Sequence, residues 1–221
     1  MRVRLRGAGI GRGPAAALPP VDALLRPGAP VAIAVEGPER AQLLSLLLGG
    51  RIPADVGEVL VDEPAGTAGR GAAAALRRRV AVVDAPAASE PGPGIPLGVV
   101  VAEELAFAGR PAGRRHVRAL LAEHGLESWR RARTAAVPAA ARIRLLTALA
   151  ARRPGVEALV LCSPERHGGD PADWLPHLLD LARDGLAIAI ATDAPTAAAL
   201  RGLGAEGALE PAGTPPPLFE L

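Results

Sequence analysis

The stretch that decides the fold runs from Val31 to Gly50 and reads VAIAVEGPERAQLLSLLLGG. Its first five residues form a continuous apolar run, which is typical of a buried parallel strand. Gly37 and Pro38 then predict a turn. The segment Arg40–Leu48 (RAQLLSLLL) predicts a short apolar helix that ends at the two following glycines. A buried strand, a tight turn and a helix in this order indicate an α/β protein.

Apolar runs elsewhere in the chain extend this pattern. Strands are predicted at Met1–Arg6 (as an edge strand), Gly57–Asp62, Val80–Asp84, Glu157–Cys162 and Leu186–Thr192. Helices are predicted at Trp174–Arg183 and Pro195–Leu200, and loops at residues 63–75 and 85–98. From Val99 to Ala151 the pattern is helical, with little strand signal. This break in the alternation predicts a helical subdomain inserted into a parallel-sheet domain.

Composition excludes several classes of function. The 221 residues suit one domain, and the formal net charge is only +2, with every basic residue an arginine. Aromatic residues make up 2% of the chain, too few to stack bases, so no nucleic-acid surface is expected. Cys162 is the single cysteine, which rules out an intrachain disulfide and fits a reducing cytoplasm. No apolar run approaches the roughly 20 residues of a membrane span, so any link to a membrane is expected through a partner.

Five further segments, with the opening one, resemble a known family. VAIAVEGPERAQLLSLLLGGRIPADVGEVLVDE resembles the start of an ATP-binding-cassette (ABC) transporter ATPase domain, whose GPxGxGKSTLLxxLxG motif is followed by a Gly-Glu-Val/Ile strand. The later segments resemble, in order, the Q-loop strand, the opening of the helical subdomain, the signature helix, the Walker B strand with its D-loop, and the strand before the H-loop. They are RRRVAVVD (Arg77–Asp84), PLGVVVAEELAFAGR (Pro96–Arg110), VPAAARIRLLTALAARRP (Val137–Pro154), EALVLCSPERHGGDPADW (Glu157–Trp174) and LAIAIATDAP (Leu186–Pro195).

The resemblance implies a fold and a division of the chain. The fold would be a P-loop NTPase-like ABC core, with a parallel sheet, N-terminal antiparallel strands and an inserted helical subdomain. Residues 1–98 and 152–210 would form the α/β core and residues 99–151 the helical subdomain. Residues 211–221 would be a proline-rich tail of this single domain.

The P-loop position is degenerate, and it is occupied by Gly37, Pro38, Glu39, Arg40, Ala41 and Gln42. A P-loop places five residues between its first glycine and its lysine. Here Pro38 and Glu39 alone separate Gly37 from Arg40, so the loop is three residues short. Pro38 has no N–H to donate, Glu39 repels an anion, and Ala41 with Gln42 replaces the Ser-Thr pair. A tight strand-to-helix turn is the simpler interpretation.

The other motif positions have also lost their chemistry. Cys162 and Ser163 stand where the Walker B Asp and Glu belong, and Glu165 could reach that position only if the loop shifted. Cys162 is expected to be a buried structural thiol. The signature Ser and glycines correspond to Pro138, Ala139 and Ala140, the Q-loop Gln to Asp84–Ala85, the H-loop His to Asp193, and the adenine-stacking aromatic to Gly11–Pro14. The framework positions Arg142, Arg144 and Asp170 match the family, although solvated charges explain them equally well.

These losses predict a catalytically silent ABC-type subunit that docks on a membrane permease or on an intact ATPase subunit. Its docking surface would be the helical subdomain and the loop Ala85–Gly98, as the resemblance implies. No catalytic residue, metal or cofactor is expected, and the location is cytoplasmic or peripheral on the inner face of the cell membrane. Two alternatives stay open. One is a low-turnover subunit that binds ATP and Mg²⁺ through Arg40, and the other is a soluble regulatory module that reuses the fold.

Overall fold

The computed structural model describes residues 1–62 and 69–208. Their strands, in chain order, are β1 Val3–Ile10, β2 Leu18–Leu25, β3 Val31–Ala34, β4 Val56–Val61, β5 Val80–Val83, β6 Ala158–Cys162, β7 Ala187–Thr192 and β8 Glu206–Gly207. A three-stranded antiparallel sheet has the order β2-β1-β4. A five-stranded sheet has the order β5-β6-β7-β3-β8, and every neighbouring pair in it is parallel. This architecture confirms the predicted fold class.

Helices connect the strands of the parallel sheet. They are α1 Pro38–Leu48, α2 Gly69–Arg79, α3 Leu97–Phe107, α4 Arg114–Glu123, α5 Ala139–Ala151, α6 Leu175–Arg183 and α7 Ala194–Gly202. Helices α3, α4 and α5 follow one another between β5 and β6, and the backbone from Val99 to Ala151 joins no strand of either sheet. Within the described ranges, no helix combines the length and apolar character needed to cross a membrane.

The parallel sheet has a hydrophobic core on each face. Strands β5, β6 and β7 are buried at every residue, which accounts for their continuous apolar sequences. Along β6, Ala158, Val160 and Cys162 face the core built with α1 and the antiparallel sheet. Leu159 and Leu161 face the core built with α5, α6 and α7. Strand alternation therefore places the Cys162 thiol on the α1 side.

A third core lies among α3, α4 and α5, and α5 belongs to two cores at once. Its residues Leu145 and Leu149 pack toward α3 and α4. Its residues Ile143, Leu146 and Ala150 pack toward the parallel sheet. Helix α5 therefore joins the helical stretch to the sheet. The division of the chain at residues 98/99 and 151/152 remains a prediction.

Two predictions for the N-terminal half are wrong. The Met1–Arg6 segment belongs to β1, which is the central strand of its sheet rather than an edge strand. The two edge strands are β2 and β4, and β2 was not predicted because Pro19 and Pro20 interrupt its apolar pattern. An edge strand tolerates proline, since one side of its backbone needs no partner.

The loop predicted for residues 63–75 is wrong from Gly69 onward, where α2 begins. Its Gly/Ala-rich sequence looked like a loop, but Ala72, Ala75 and Leu76 are buried at helical spacing. Small residues let α2 pack closely on the core, so the apolar stripe lacks the large side chains that mark an amphipathic helix. Residues 63–68 and the predicted tail 211–221 lie outside the described residues.

Candidate functional site

The site follows from the direction of the strands. Strands β3, β5, β6 and β7 end at one edge of the sheet, which is where open α/β sheets bind their ligands. The residues that follow these strands include Gly37, Asp84, Ser163 and Asp193. The structure therefore brings to the same edge the four positions that the sequence predicts to correspond to the P-loop, Q-loop, Walker B and H-loop.

The turn between β3 and α1 is short. Gly37 has φ 80°, a left-handed conformation that favours glycine, and α1 begins at the next residue, Pro38. The N–H of Ala41 donates to the carbonyl of Gly37 at 3.3 Å, which closes the first helical turn. The backbone thus passes from strand to helix without a loop wide enough to surround a phosphate.

The polar side chains of this turn already have partners. Arg40 Nη1 donates to Glu36 Oε2 at 2.7 Å. Gln42 Nε2 donates to the carbonyl of Pro86 at 2.8 Å, which ties α1 to the loop after β5. Glu39 adds a negative charge to the first turn of the helix. A phosphate at this helix terminus would therefore meet two carboxylates and an arginine that is already paired.

A cleft of about 400 Å³ lies beside the turn. Its walls are mostly apolar, and its charged members are Glu36, Arg40 and Asp193. Asp193 caps α7, because its Oδ1 accepts the N–H of Thr196 at 2.8 Å. None of the described residues that line this cleft has an aromatic side chain on which a base could stack.

The strongest polar cluster at this edge centres on Asp84, which is buried. Arg142 donates to both carboxylate oxygens of Asp84, from Nη2 at 2.6 Å and from Nε at 3.0 Å. His167 Nε2 lies 2.8 Å from Asp84 Oδ2, and Arg166 Nη2 lies 3.4 Å from Oδ1. Burial alone would raise the pKa of Asp84, but the hydrogen bonds from His167 and Arg142 and the charges of both arginines lower it well below its usual range.

This cluster includes three groups that could ligate a metal. Ligand atoms of Asp84, Glu90 and His167 lie within 4.8 Å of one another. However, Arg166 Nη2 lies 3.2 Å from Glu90 Oε1, and Arg142 Nη2 lies 3.7 Å from it. Two guanidinium groups thus hold the carboxylates that a divalent cation would need. The cluster fits an internal salt-bridge network better than a metal centre.

The end of β6 carries no free carboxylate. Cys162 is buried, and burial raises the pKa of its thiol. Ser163 adopts a left-handed conformation with φ 44°, and its buried Oγ has no hydrogen-bond partner among residues 1–62 and 69–208. Glu165 Oε2 accepts the hydroxyl of Thr192 at 2.6 Å. Glu165, which the sequence offered as a replacement acid for this position, is therefore already engaged by a hydroxyl of the same chain.

The three framework positions differ in role. Arg142 is only 3% exposed, so its interpretation as a solvated charge is wrong. Arg144 is exposed, and its Nη1 donates to the carbonyl of Asp173 at 3.3 Å. Asp170 caps a short 3-10 turn by accepting the N–H of Ala172 at 2.9 Å.

Sequence reasoning missed the pairing of Asp84 with Arg142. The two residues are 58 positions apart, and no local spacing links them. The available signal was weak: Arg142 lies in the apolar run AARIRLL, where a charged side chain is buried only if it is paired. Asp84 stands at the end of an apolar strand. Many charged residues at that position are exposed, so its place in the sequence gave no sign of burial.

No protein-family model matches the sequence, and no curated protein matches it. Solved structures match its fold. MJ0796, a bacterial ABC transporter cassette with a dimeric structure, has a TM-score of 0.62 and 16% identity, over 90% of each chain. The protein cbiO1 of Clostridium perfringens, part of the ABC transporter complex cbiONQ, has a TM-score of 0.58 and 17% identity, over 88% of this chain and 81% of its own. A nucleotide-free ATP-binding cassette has a TM-score of 0.60 and 16% identity, over 89% of this chain and 83% of its own. This chain therefore has the fold of an ABC transporter ATP-binding cassette.

Proposed function

We propose that this chain is a catalytically silent subunit of the ABC ATPase type, which docks on a membrane permease or on an intact ATPase subunit. The observation that carries the proposal is the engagement of Asp84 by Arg142, Arg166 and His167. A site for Mg-nucleotide needs carboxylates free for the metal and backbone amides free for the phosphates. Here the carboxylates at the strand ends bind groups of the same chain.

The path of the chain from Gly37 to Arg40 supports the same proposal. Helix α1 begins at Pro38, which has no N–H, so the first amide that a phosphate would need is missing. Glu36 and Glu39 would repel the phosphate. Losses in both the P-loop and signature positions would damage both composite sites of a dimer, because each site takes one motif from each subunit in the family that the chain resembles.

Docking is proposed on the helical stretch 99–151 and the loop 85–98, as the resemblance implies. The structural relative cbiO1 is part of a transporter complex, and MJ0796 forms a dimer in its structure. A chain with the same fold and no free site for nucleotide would act as a structural or regulatory subunit of such an assembly. We place it in the cytoplasm, on the inner face of the cell membrane when its partner holds it there.

Two alternatives make different predictions. A low-turnover subunit would use Arg40 as its phosphate contact, but Arg40 is paired with Glu36 at 2.7 Å. A soluble regulator would use the same fold to bind a partner away from the membrane. The first alternative requires nucleotide binding, and the second requires a partner that is not a membrane protein.

Calorimetry with Mg-ATP tests the silence. A binding free energy of about −5 kcal/mol corresponds to a Kd of some hundreds of micromolar. The missing contacts are expected to remove more binding free energy than this. We expect no binding heat, with an active cassette as the positive control. A Kd below about 100 μM would overturn the proposal and favour the low-turnover alternative.

Cross-linking in native membranes tests the docking. The proposal is supported if the cross-linked peptides identify a permease or an intact ATPase and map the contact to residues 85–151 of this chain. Cross-links exclusively to proteins that stay outside the membrane fraction would contradict it and favour the regulator.

A further inference from the structure

The last described strand, β8, directs the rest of the chain toward the cleft beside the β3–α1 turn. Strand β8 lies parallel to β3, with Glu206–Gly207 opposite residues 31–32. Because the two strands are parallel, the backbone that leaves β8 runs toward the end of β3. Ala208 comes next and packs against the core that also contains Leu18 of β2. Leu18 is part of the wall of the cleft, so the chain leaves β8 on the side where the cleft lies.

Strand β8 covers half of the adjacent edge of β3. Strand β3 extends to Ala34, but among residues 1–62 and 69–208 its partners on this side face Val31 and Ala32 alone. On its other side all four residues pair with β7. Ala34 is exposed although it lies in a strand of the parallel sheet. A strand edge that is left open in this way accepts a further extended segment. Two more residues in the register of β8 would place Leu209 opposite Ala34, which lines the cleft.

The cleft is suited to apolar side chains. Residues 18–21 of β2, with the sequence LPPV, form one wall, and the end of β3 forms another. Its volume of about 400 Å³ lies within the range of ligand pockets, roughly 300–1,000 Å³. Its three charged side chains already have partners, because Arg40 donates to Glu36 and Asp193 accepts the N–H of Thr196. A charged ligand would compete with these bonds, whereas an apolar occupant gains from burial in the cleft.

The chain itself supplies an apolar segment beyond β8. Residues 209–221 read LEPAGTPPPLFEL, in which Leu218 and Phe219 follow three prolines. An extended, proline-rich backbone spans about 3.1 Å per residue, so the stretch from Ala208 to Phe219 reaches up to about 34 Å. This reach exceeds the length of the open edge of β3 many times, so the tether does not keep Phe219 from the cleft. A flexible tether of this kind gives an effective concentration on the order of millimolar.

We propose that the segment 209–221 is an intramolecular ligand of the cleft, with Leu218 and Phe219 against the apolar walls. The occupant is this chain's own segment rather than a second copy, because the register of β8 and the tether bring it to the cleft at no cost in association. The segment then covers the strand ends at Gly37 and Asp193, which line the cleft. Any other ligand must displace the segment to reach them. This inference does not rest on the proposed function.

A disulfide trap in the full chain tests which segment fills the cleft. With Cys162→Ala as the background, Pro20→Cys places a thiol at the exposed rim of the cleft and Glu220→Cys places one beside Phe219. A disulfide requires Cα atoms within about 7 Å. We expect mild oxidation to form an intrachain disulfide, identified by peptide mapping and by faster migration on a non-reducing gel.

The matched control for the trap moves the first thiol to Ala122→Cys, at an exposed position on α4, a helix that contributes no residue to the cleft. This variant should stay reduced under the same conditions. A disulfide-linked dimer of the Pro20→Cys variant would assign the cleft to a second copy and overturn the proposal. Equal disulfide yields in the two variants, or no disulfide in either, would overturn it as well.

Peptide binding measures the occupancy of the cleft. The probe is a fluorescent peptide with the sequence TPPPLFEL, residues 214–221. The variant Leu218→Ser with Phe219→Ser leaves the cleft open and should bind the probe at least about tenfold more tightly than the native chain. Because the contacts are apolar, this affinity should not fall as salt rises. The control Phe107→Ser makes the same change at an exposed phenylalanine of α3 and should bind the probe as weakly as the native chain.

The outcomes separate this inference from the proposed function. Equal affinities of the native chain and the double-serine variant would overturn the inference, as would tight binding that Pro20→Asp, added to that variant, does not weaken. Circular dichroism melts check that each variant is folded. Mg-ATP binding by the native chain would overturn the proposed silence and leave the trap and probe results standing. Mg-ATP binding by the double-serine variant alone would support the inference and show that the segment, rather than the short turn, prevents nucleotide binding.

Discussion

Arg142 and Asp84 form a buried two-pronged salt bridge that joins α5 to the end of β5. Nη2 and Nε of Arg142 lie 2.6 and 3.0 Å from the two oxygens of Asp84, and the side chains are 4% and 9% exposed. Such geometry offsets the cost of removing two charges from water, but the loss of one partner leaves the other buried and unpaired. This asymmetry makes the pair a sensitive point of the fold.

We therefore expect Arg142→Met to lower the free energy of unfolding by about 3 kcal/mol. His167 and Arg166 still contact Asp84, which keeps the loss near the lower end of the usual range. Urea denaturation measures it. The matched control is Arg144→Met, an exposed position on the same helix, where a change within about 0.5 kcal/mol is expected. Equal losses at both positions would contradict the assigned role of the pair.

Stability should fall on mild acidification because of two histidines. Burial lowers the pKa of His124, helped by the charge of Arg152, and burial also lowers the pKa of His177, helped by His124. In the unfolded chain both titrate near pH 6.5. Below that pH the unfolded state binds more protons than the folded state, so folding stability is lost as pH falls from about 7 toward 5.

The measurement is the urea midpoint at several pH values in this window, where the lowered pKa values of Asp84, Asp62 and Glu157 keep these acids ionised. The double variant His124→Gln with His177→Gln should show a flatter dependence on pH. An unchanged slope in this variant would mean that other groups cause the acid sensitivity.

If the chain is silent as proposed, introducing the side chains of the family's motifs should not produce hydrolysis. The variant with Arg40→Lys, Ala41→Ser, Gln42→Thr, Cys162→Asp and Ser163→Glu supplies the ammonium, the hydroxyls and the carboxylates, but leaves the Gly37–Arg40 turn three residues short. It also removes the bond from Gln42 to Pro86 and adds two acids at the end of a buried strand. We expect a lower Tm and no phosphate release.

The control for this variant adds three glycine-rich residues after Pro38 to the same five changes. The path of the chain decides whether backbone amides can reach a phosphate. The insertion is therefore the change that could recover nucleotide binding. Phosphate release is measured beside Tm with and without Mg-ATP. Turnover in the variant without the insertion would show that the turn is not the limiting defect.

The thiol of Cys162 should be unreactive in the native protein. It is 1% exposed, and its raised pKa lowers the fraction of thiolate, which is the reactive form. We expect a thiol-specific chromogenic reagent to label it at least about a hundredfold more slowly in buffer than in urea, since labelling requires the protein to open. Rapid native labelling would place the thiol at the surface instead.

The sequence could predict four of the five strands of the parallel sheet, because these four are buried on both faces along most of their length and so are continuously apolar. The fifth, β8, is a two-residue strand that is not buried, and the sequence did not predict it. VAVV in β5 and ALVLC in β6 need no context to be recognised. The sequence did not predict β2 or α2. The prolines of β2 and the small residues of α2 are compatible with more than one local structure, and the neighbouring elements decide which one forms. The Asp84–Arg142 pair depends on two chain segments meeting in space, and a single charge in each gives no sign of it.

The packing of α5 on two cores has a consequence for how the molecule comes apart. Apart from Arg144, every residue of this helix from Arg142 to Ala150 is buried, so neither the sheet nor the α3–α4 layer can be exposed without uncovering one of its sides. The sheet and the α3–α4 layer are therefore expected to unfold together. Amide protons of α3 and α6 should exchange with similar free energies, as parts of a single cooperative unit.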